Sequence, residues 1–177
     1  MNNAEWFTAH LQTSAEGLVW GVQQALPERL YVVPPGDPHM DGTLGAWPIA
    51  RHVCHMTYYE RNCVLPSMRQ WLGAAQPTMD GYDDEGCWDG SPNIDRFIAE
   101  FLQARREQIA LLAQYSPEAW DEARDAVWGP VTLRWVVSKT YQHTFEHGST
   151  IMRIALFWEG FARYAQEQQE KSKEQPV

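Results

Sequence analysis

The sequence predicts an all-α fold, a bundle of four helices, from three observations. Apolar residues recur at three-and-four spacing in four long stretches, which is the period of a helix with one buried face. Segments rich in Pro, Gly and Asp separate these stretches, and such segments end helices. No stretch of useful length shows the alternation of a β-strand. Four helices of about 20 residues joined by loops are typical of a bundle.

The first helix is predicted from about Ala4 to Ala25, and Pro27 ends it. The segment that follows, PERLYVVPPGDPHMDG, contains four prolines and two glycines. These residues exclude regular structure and indicate a long loop. His39 lies in this loop, where we expect it on the surface.

The second helix is predicted to begin at Trp47-Pro48, because proline is favoured at the first helical position. It continues to about Trp71, with a kink at Pro66. A second loop, acidic in its middle, follows from Gly73 to Gly90.

The third and fourth helices lie in the C-terminal half. Ser91-Pro92 has the pattern of an N-cap followed by a first-turn proline, and the apolar stripe of the third helix runs from Ile94 to Leu112. Thr132 is predicted to cap the fourth helix, which runs to about Trp158 or beyond.

Length and composition indicate one globular domain. A chain of 177 residues with 44% hydrophobic residues can bury a core without disulfides or structural metals. We assign residues 1–165 to this domain. The polar tail, residues 166–177, is expected to fray.

The charge balance argues against nucleic acid as a partner. The formal net charge is −9, whereas proteins bind phosphate backbones through clusters of Lys and Arg. Arg105 and Arg106 are adjacent, and we interpret them as part of a solvated helix face.

Three cysteines, an odd number, favour reduced thiols over a disulfide framework. The chain shows no basic-then-apolar leader and no run of about 20 apolar residues. The sequence therefore predicts a cytoplasmic protein without a membrane partner.

The segment YQHTFEHGSTIMRI carries the main chemical signal. His143 and His147 are four residues apart, so a helix stacks them on one face. The same stripe contains Val136, Thr140, Ile151, Ile154 and Trp158. Burying two imidazoles without partners is costly, and a divalent metal removes that cost. The alternative is a pair of core histidines bonded to backbone or carboxylates.

This pair differs from the HExxH zinc motif, because Thr144 occupies the position of the catalytic Glu. Glu146 points to another helix face, where it is expected at the surface or next to a ligand, and not as a general base. No residue stands out as a general base, so a metal-bound water or thiolate would have to be the nucleophile.

A third ligand has to come from another helix. His52 and His55 both lie on the second helix, and the helical angle places His52 slightly nearer the buried stripe. Cys54 leaves this helix about 100° away from His55, which indicates core packing. His10 on the first helix is a weaker candidate.

Two segments together resemble the DinB-like superfamily of four-helix metal proteins. WPIARHVCH places His55 eight residues after Trp47, and GPVTLRW followed by HTFEHGSTI places His143 and His147 on the fourth helix. The resemblance implies that His55, His143 and His147 are the metal ligands, with His52 as the fallback. It also implies an up-down-down-up order of the helices and a homodimer.

The resemblance further implies a metal-dependent hydrolase or a thiol-dependent transferase, acting on a small molecule or with a low-molecular-weight thiol. Three histidines leave coordination positions open, as in catalytic sites. Zinc or nickel suits them best, and iron is also compatible. The alternatives are a non-enzymatic, stress-related protein that binds a metal or ligand, and a structural bundle with core histidines.

Overall fold

Helices make up most of the part of the chain that the computed structural model describes, which is residues 3–36, 45–78, 88, 90 and 93–174. They are α1 (Asn3–Gln23), α2 (Ile49–Tyr59), α3 (Leu65–Arg69), α4 (Ile94–Leu112) and α5 (Leu133–Glu174). Single 3₁₀ turns lie at Pro27–Arg29, Gln70–Leu72 and Glu118–Trp120. The predicted all-α class is confirmed, and the up-down-down-up order stays a prediction.

The second predicted helix consists of α2 and α3, joined by a π-helical segment at Glu60–Val64. Pro66 lies in the first turn of α3. Its ring lacks an N–H and crowds the carbonyl four residues earlier, at Asn62. A wider π turn relieves this conflict. The irregularity expected at Pro66 therefore takes the form of a π segment just before it.

The cap of α4 differs from the one predicted. The side chain of Asn93 accepts a hydrogen bond from the backbone N–H of Arg96, at 3.0 Å. Ser91 and Pro92, the predicted cap, lie outside the described residues. Asn is as good an N-cap as Ser. Helix α4 therefore begins at Ile94, the first residue of the predicted apolar stripe.

The expectation that the chain contains no strand is wrong for one short hairpin. β1 (Ala123–Ala126) and β2 (Gly129–Thr132) pair antiparallel. Each has only four residues, too few for alternation to be recognised, and Gly129 supplies the positive φ of 87° at the turn. The hydroxyl of Thr132 accepts a hydrogen bond from the N–H of Trp135 (3.2 Å), as expected of the cap of α5.

Helix α5 is 42 residues long and packs along α1. The two helices approach closely at Gly21, where an added Cβ would stand 3.0 Å from the side chain of Met152 and 3.2 Å from that of Ile151. The polar tail that was expected to fray from residue 166 continues as helix to Glu174.

None of the helices in the described part of the chain combines the length and the apolar character that crossing a membrane requires.

The interior has two apolar layers along the bundle. The first contains Leu18, Val53, Cys54, Phe101 and Ile151, and the second contains Leu11, Tyr59, Cys63, Leu112 and Val136. Cys54 is thus a core residue, as predicted. Between the layers lie polar side chains that are almost completely buried, namely Glu60, Arg105, Gln108, Thr140 and Thr144.

The prediction that Arg105 lies on a solvated face is wrong. Arg105 is only 2% exposed, whereas Arg106 is exposed as expected. A buried guanidinium needs a charged partner, and Glu60, 0% exposed, provides it by direct contact. Helical periodicity cannot predict this pair, because the two residues are far apart in the chain and lie on different helices.

The ion pair is embedded in a hydrogen-bond network. Arg105 also donates to the hydroxyl of Thr144 (2.7 Å) and to the carbonyl of Leu11 (3.3 Å). Gln108 donates to Glu60 at 3.0 Å. Burial raises the pKa of Glu60, and the charge of Arg105 and the hydrogen bonds that Glu60 accepts from Gln108, Arg105 and Thr144 oppose that rise. The network joins α1, the π segment, α4 and α5.

We predict that Arg105→Met lowers the free energy of unfolding by about 3–5 kcal/mol, because it leaves a buried carboxylate without its counter-charge. Arg106→Met, the exposed neighbour, should change it by less than about 0.5 kcal/mol. Urea denaturation of the metal-free protein measures both. Equal effects from the two substitutions would contradict the importance of the pair.

Candidate metal centre

Two helices bring three histidines together. His55 comes from α2, and His143 and His147 lie one turn apart on α5. The Nε2 atom of His143 lies 3.2 Å from Nε2 of His55 and 3.1 Å from Nε2 of His147. One ring nitrogen from each residue falls within 4.8 Å of the others. Among the described residues, no Cys, Asp or Glu joins this group.

The spacing of the nitrogens fits a metal ion. Bonds of about 2.0–2.1 Å to a tetrahedral zinc separate the donor atoms by roughly 3.3 Å. The two Nε2 separations from His143 match that value. The group supplies three donors, so a tetrahedral ion would keep one position for another ligand.

The environment keeps the ring of His143 neutral, which is the form that binds a metal. The pKa of His143 is lowered to about 3, chiefly by burial, with smaller contributions from the neighbouring His147 and His55 and from Lys139 one turn earlier on α5. The Nδ1 atom of His143 is buried and has no hydrogen-bond partner among the described residues.

His52, the alternative third ligand, takes a different place. Its Nδ1 lies 2.8 Å from Nδ1 of His147, on the side of that ring opposite to the Nε2 that faces the cluster. His52 is buried, with 8% exposure, and burial, followed by the nearby His147, His55 and Arg51, lowers its pKa to about 3. The geometry therefore brings His55 into the cluster and leaves His52 behind His147.

Aromatic rings enclose the histidines. Trp47 lies 5.3 Å from the rings of both His52 and His55, centroid to centroid. Tyr59 lies 4.3 Å from the ring of His143. These neighbours fix the rings by packing and reduce the dielectric around the cluster.

Two further side chains, one aromatic and one cationic, contact these rings. Trp128, from the turn of the hairpin, lies 6.0 Å from Tyr59, and the guanidinium of Arg51 lies 4.4 Å from the ring centre of Trp47. Trp47, just before α2, and Trp128, in the hairpin turn, are thus tryptophans that lie near the histidine cluster.

The position of Tyr59 beside the histidine cluster was not predicted from the sequence. Tyr59 follows His55 by four residues, and this spacing places the two side chains on one helix face. Its hydroxyl is buried without a hydrogen-bond partner among the described residues. Burial, with Cys63 and Glu60 nearby, raises the pKa of this hydroxyl, so it remains a donor.

The other residues considered from the sequence lie away from the cluster. Glu146 is exposed and accepts a hydrogen bond from Gln142 (2.8 Å), as predicted. His10 stacks on Trp6 at the surface, with 3.7 Å between ring centroids. His39 lies outside the described residues.

The fold and the cluster together define a helical protein with a three-histidine group suited to a divalent ion. The family model described as "DinB superfamily" matches residues 6–151. The chain therefore belongs to the DinB superfamily, as the two sequence segments indicated. No curated protein matches it, and no solved structure does.

Proposed function

We propose that this chain binds one divalent transition metal through His55, His143 and His147 and acts as a metal-dependent enzyme of the hydrolase or thiol-transferase type. The supporting observation is the convergence of three imidazole nitrogens at metal-ligand spacing. Three donors correspond to the open arrangement of catalytic sites, whereas structural zinc sites use four. Zinc or nickel fits the all-nitrogen donor set best.

When bound, such an ion lowers the pKa of a water or thiol that it coordinates and polarises a substrate oxygen. The protein's own residues orient and enclose the reactants. Trp47 and Tyr59 pack against the histidine rings and exclude water around them. The Tyr59 hydroxyl is a donor without a partner among the described residues, available to an oxygen of a bound small molecule.

No carboxylate in the described part of the chain is placed to act as a general base at the cluster. Glu146 is exposed, and the carboxylate of Glu60 contacts Arg105. This arrangement assigns activation of the nucleophile to the ion itself. It also supports a second candidate function, a non-enzymatic protein that stores a metal or binds a ligand through it.

We predict about one equivalent of transition metal in protein purified without chelator or metal-affinity resin, measured by plasma mass spectrometry. His55→Ala, His143→Ala and His147→Ala should each lose it, because two imidazoles bind far more weakly than three. Helical content should persist, since the two apolar layers do not depend on the ion. His10→Ala, which removes a surface histidine, should retain the metal.

Absence of metal in the wild type, with none taken up on titration, would contradict the proposed site. If the wild type does bind metal, the metal-loaded protein should be screened with esters and with low-molecular-weight thiols plus electrophiles. Turnover that a chelator abolishes supports the enzyme. Tight metal binding without turnover of either substrate class favours the second candidate, a non-enzymatic metal- or ligand-binding protein.

We also propose that the chain forms a homodimer through the outer face of α1 and α5. A groove of about 220 Å³ runs between these helices, and its lining contains no Asp, Glu, Lys or Arg. Large apolar side chains border it, with Trp6 37% and Phe145 60% exposed. In a chain of net charge −9, an uncharged face lets two copies approach without repulsion.

We predict that Phe145→Glu converts the dimer to a monomer, because the substitution places a charge at the centre of this apolar face in both copies. Light scattering coupled to gel filtration measures the mass. Gln114→Glu adds the same charge at an exposed position in the turn after α4 and should leave the dimer intact. A monomeric wild type would contradict the proposal.

A further inference from the structure

The contact between His52 and His147 has a consequence for the metal site. The two Nδ1 atoms are 2.8 Å apart, a hydrogen-bond distance. The other nitrogen of His147, Nε2, lies 3.1 Å from Nε2 of His143 and faces the cluster. The ring of His147 thus connects His52 on one side with the ligand group on the other.

Proton counting determines the direction of this hydrogen bond. A neutral imidazole carries one N–H, and its second nitrogen is an acceptor. If His147 binds a metal through Nε2, its proton has to be on Nδ1. His147 then donates from Nδ1, and His52 accepts at Nδ1. His52 must consequently carry its own proton on Nε2, which is buried and has no partner among the described residues.

We propose that His52 is a positioning residue that holds His147 in the Nδ1–H tautomer and fixes the orientation of its ring for metal binding. This inference depends on the metal site proposed above. Metal-binding histidines usually donate their second N–H to a carboxylate, a carbonyl or a water. Here a neutral histidine fills that role, so the acceptor adds no negative charge beside the ion.

The surroundings of His52 support this role. His52 and His55 are three residues apart on α2, so both face α5. The ring of Trp47 packs 5.3 Å from each of them and restricts both rings. His52 does not join the donor group in this arrangement, and its Nδ1 contacts Nδ1 of His147 instead.

Three variants distinguish a role of His52 as hydrogen-bond acceptor from a role in packing alone. His52→Asn places an amide oxygen close to the position of Nδ1 and keeps the acceptor. His52→Leu preserves the bulk of the side chain and removes the hydrogen-bond acceptor. His52→Gln keeps a polar amide but carries it one bond further, toward the Nε2 position, and serves as the polar control if the leucine variant does not fold.

The first readout is zinc affinity by competition with a chromophoric chelator. We expect His52→Leu and His52→Gln to weaken zinc binding about 10–100-fold, the usual effect of removing such a partner. His52→Asn should stay within about threefold of the wild type. The second readout is long-range ¹H–¹⁵N NMR of the zinc-loaded wild type, which should show the proton of His147 on Nδ1 and that of His52 on Nε2.

The outcomes distinguish this inference from the proposed function. A wild type that binds no zinc refutes the metal site itself. If the wild type binds zinc and all three variants bind it with the same affinity as the wild type, the metal site stands and the role of His52 is overturned. A zinc-loaded wild type with the His52 proton on Nδ1 also overturns it, as does equal weakening by Asn and Leu.

Discussion

Halfway along the bundle, apolar packing is interrupted by polar side chains that have to be compensated inside the protein. The Glu60–Arg105 pair, 0% and 2% exposed, is the most demanding of these contacts, since either charge alone would be very costly at this depth. Its hydrogen bonds connect α1, the π segment, α4 and α5. The relative placement of these elements is therefore fixed by polar geometry as well as by packing.

The histidine cluster lies beside this polar layer and depends on the same elements. Thr144, which receives a hydrogen bond from Arg105, is next to His143 in α5. Glu60 is next to Tyr59, which packs on the ring of His143. Tyr59, the last residue of α2, and Glu60, the first residue of the π segment, are both buried. The buried ion pair and the candidate metal site are thus supported by one stretch of chain, the junction of α2 with the π segment.

Patterns within one helix could be read from the sequence, and contacts between helices could not. The spacing of His143 and His147 indicated a buried histidine pair, because i, i+4 geometry is local. The choice between His52 and His55 depends on the rotation of α2 against α5, which sequence periodicity leaves uncertain by tens of degrees. The family resemblance favoured His55, and the geometry brings it to the cluster. The burial of Arg105 was missed because its partner lies on another helix, and the hairpin was missed because its strands have only four residues each.

The most direct test of the central claim is X-ray absorption spectroscopy of the metal-loaded protein. It reports the number and type of atoms bound to the ion. Three imidazole nitrogens at about 2.0–2.1 Å for zinc, with a non-protein oxygen ligand such as water completing the shell, are the predicted result. A sulfur ligand, a fourth imidazole or a shell of oxygens alone would contradict an open site built from His55, His143 and His147.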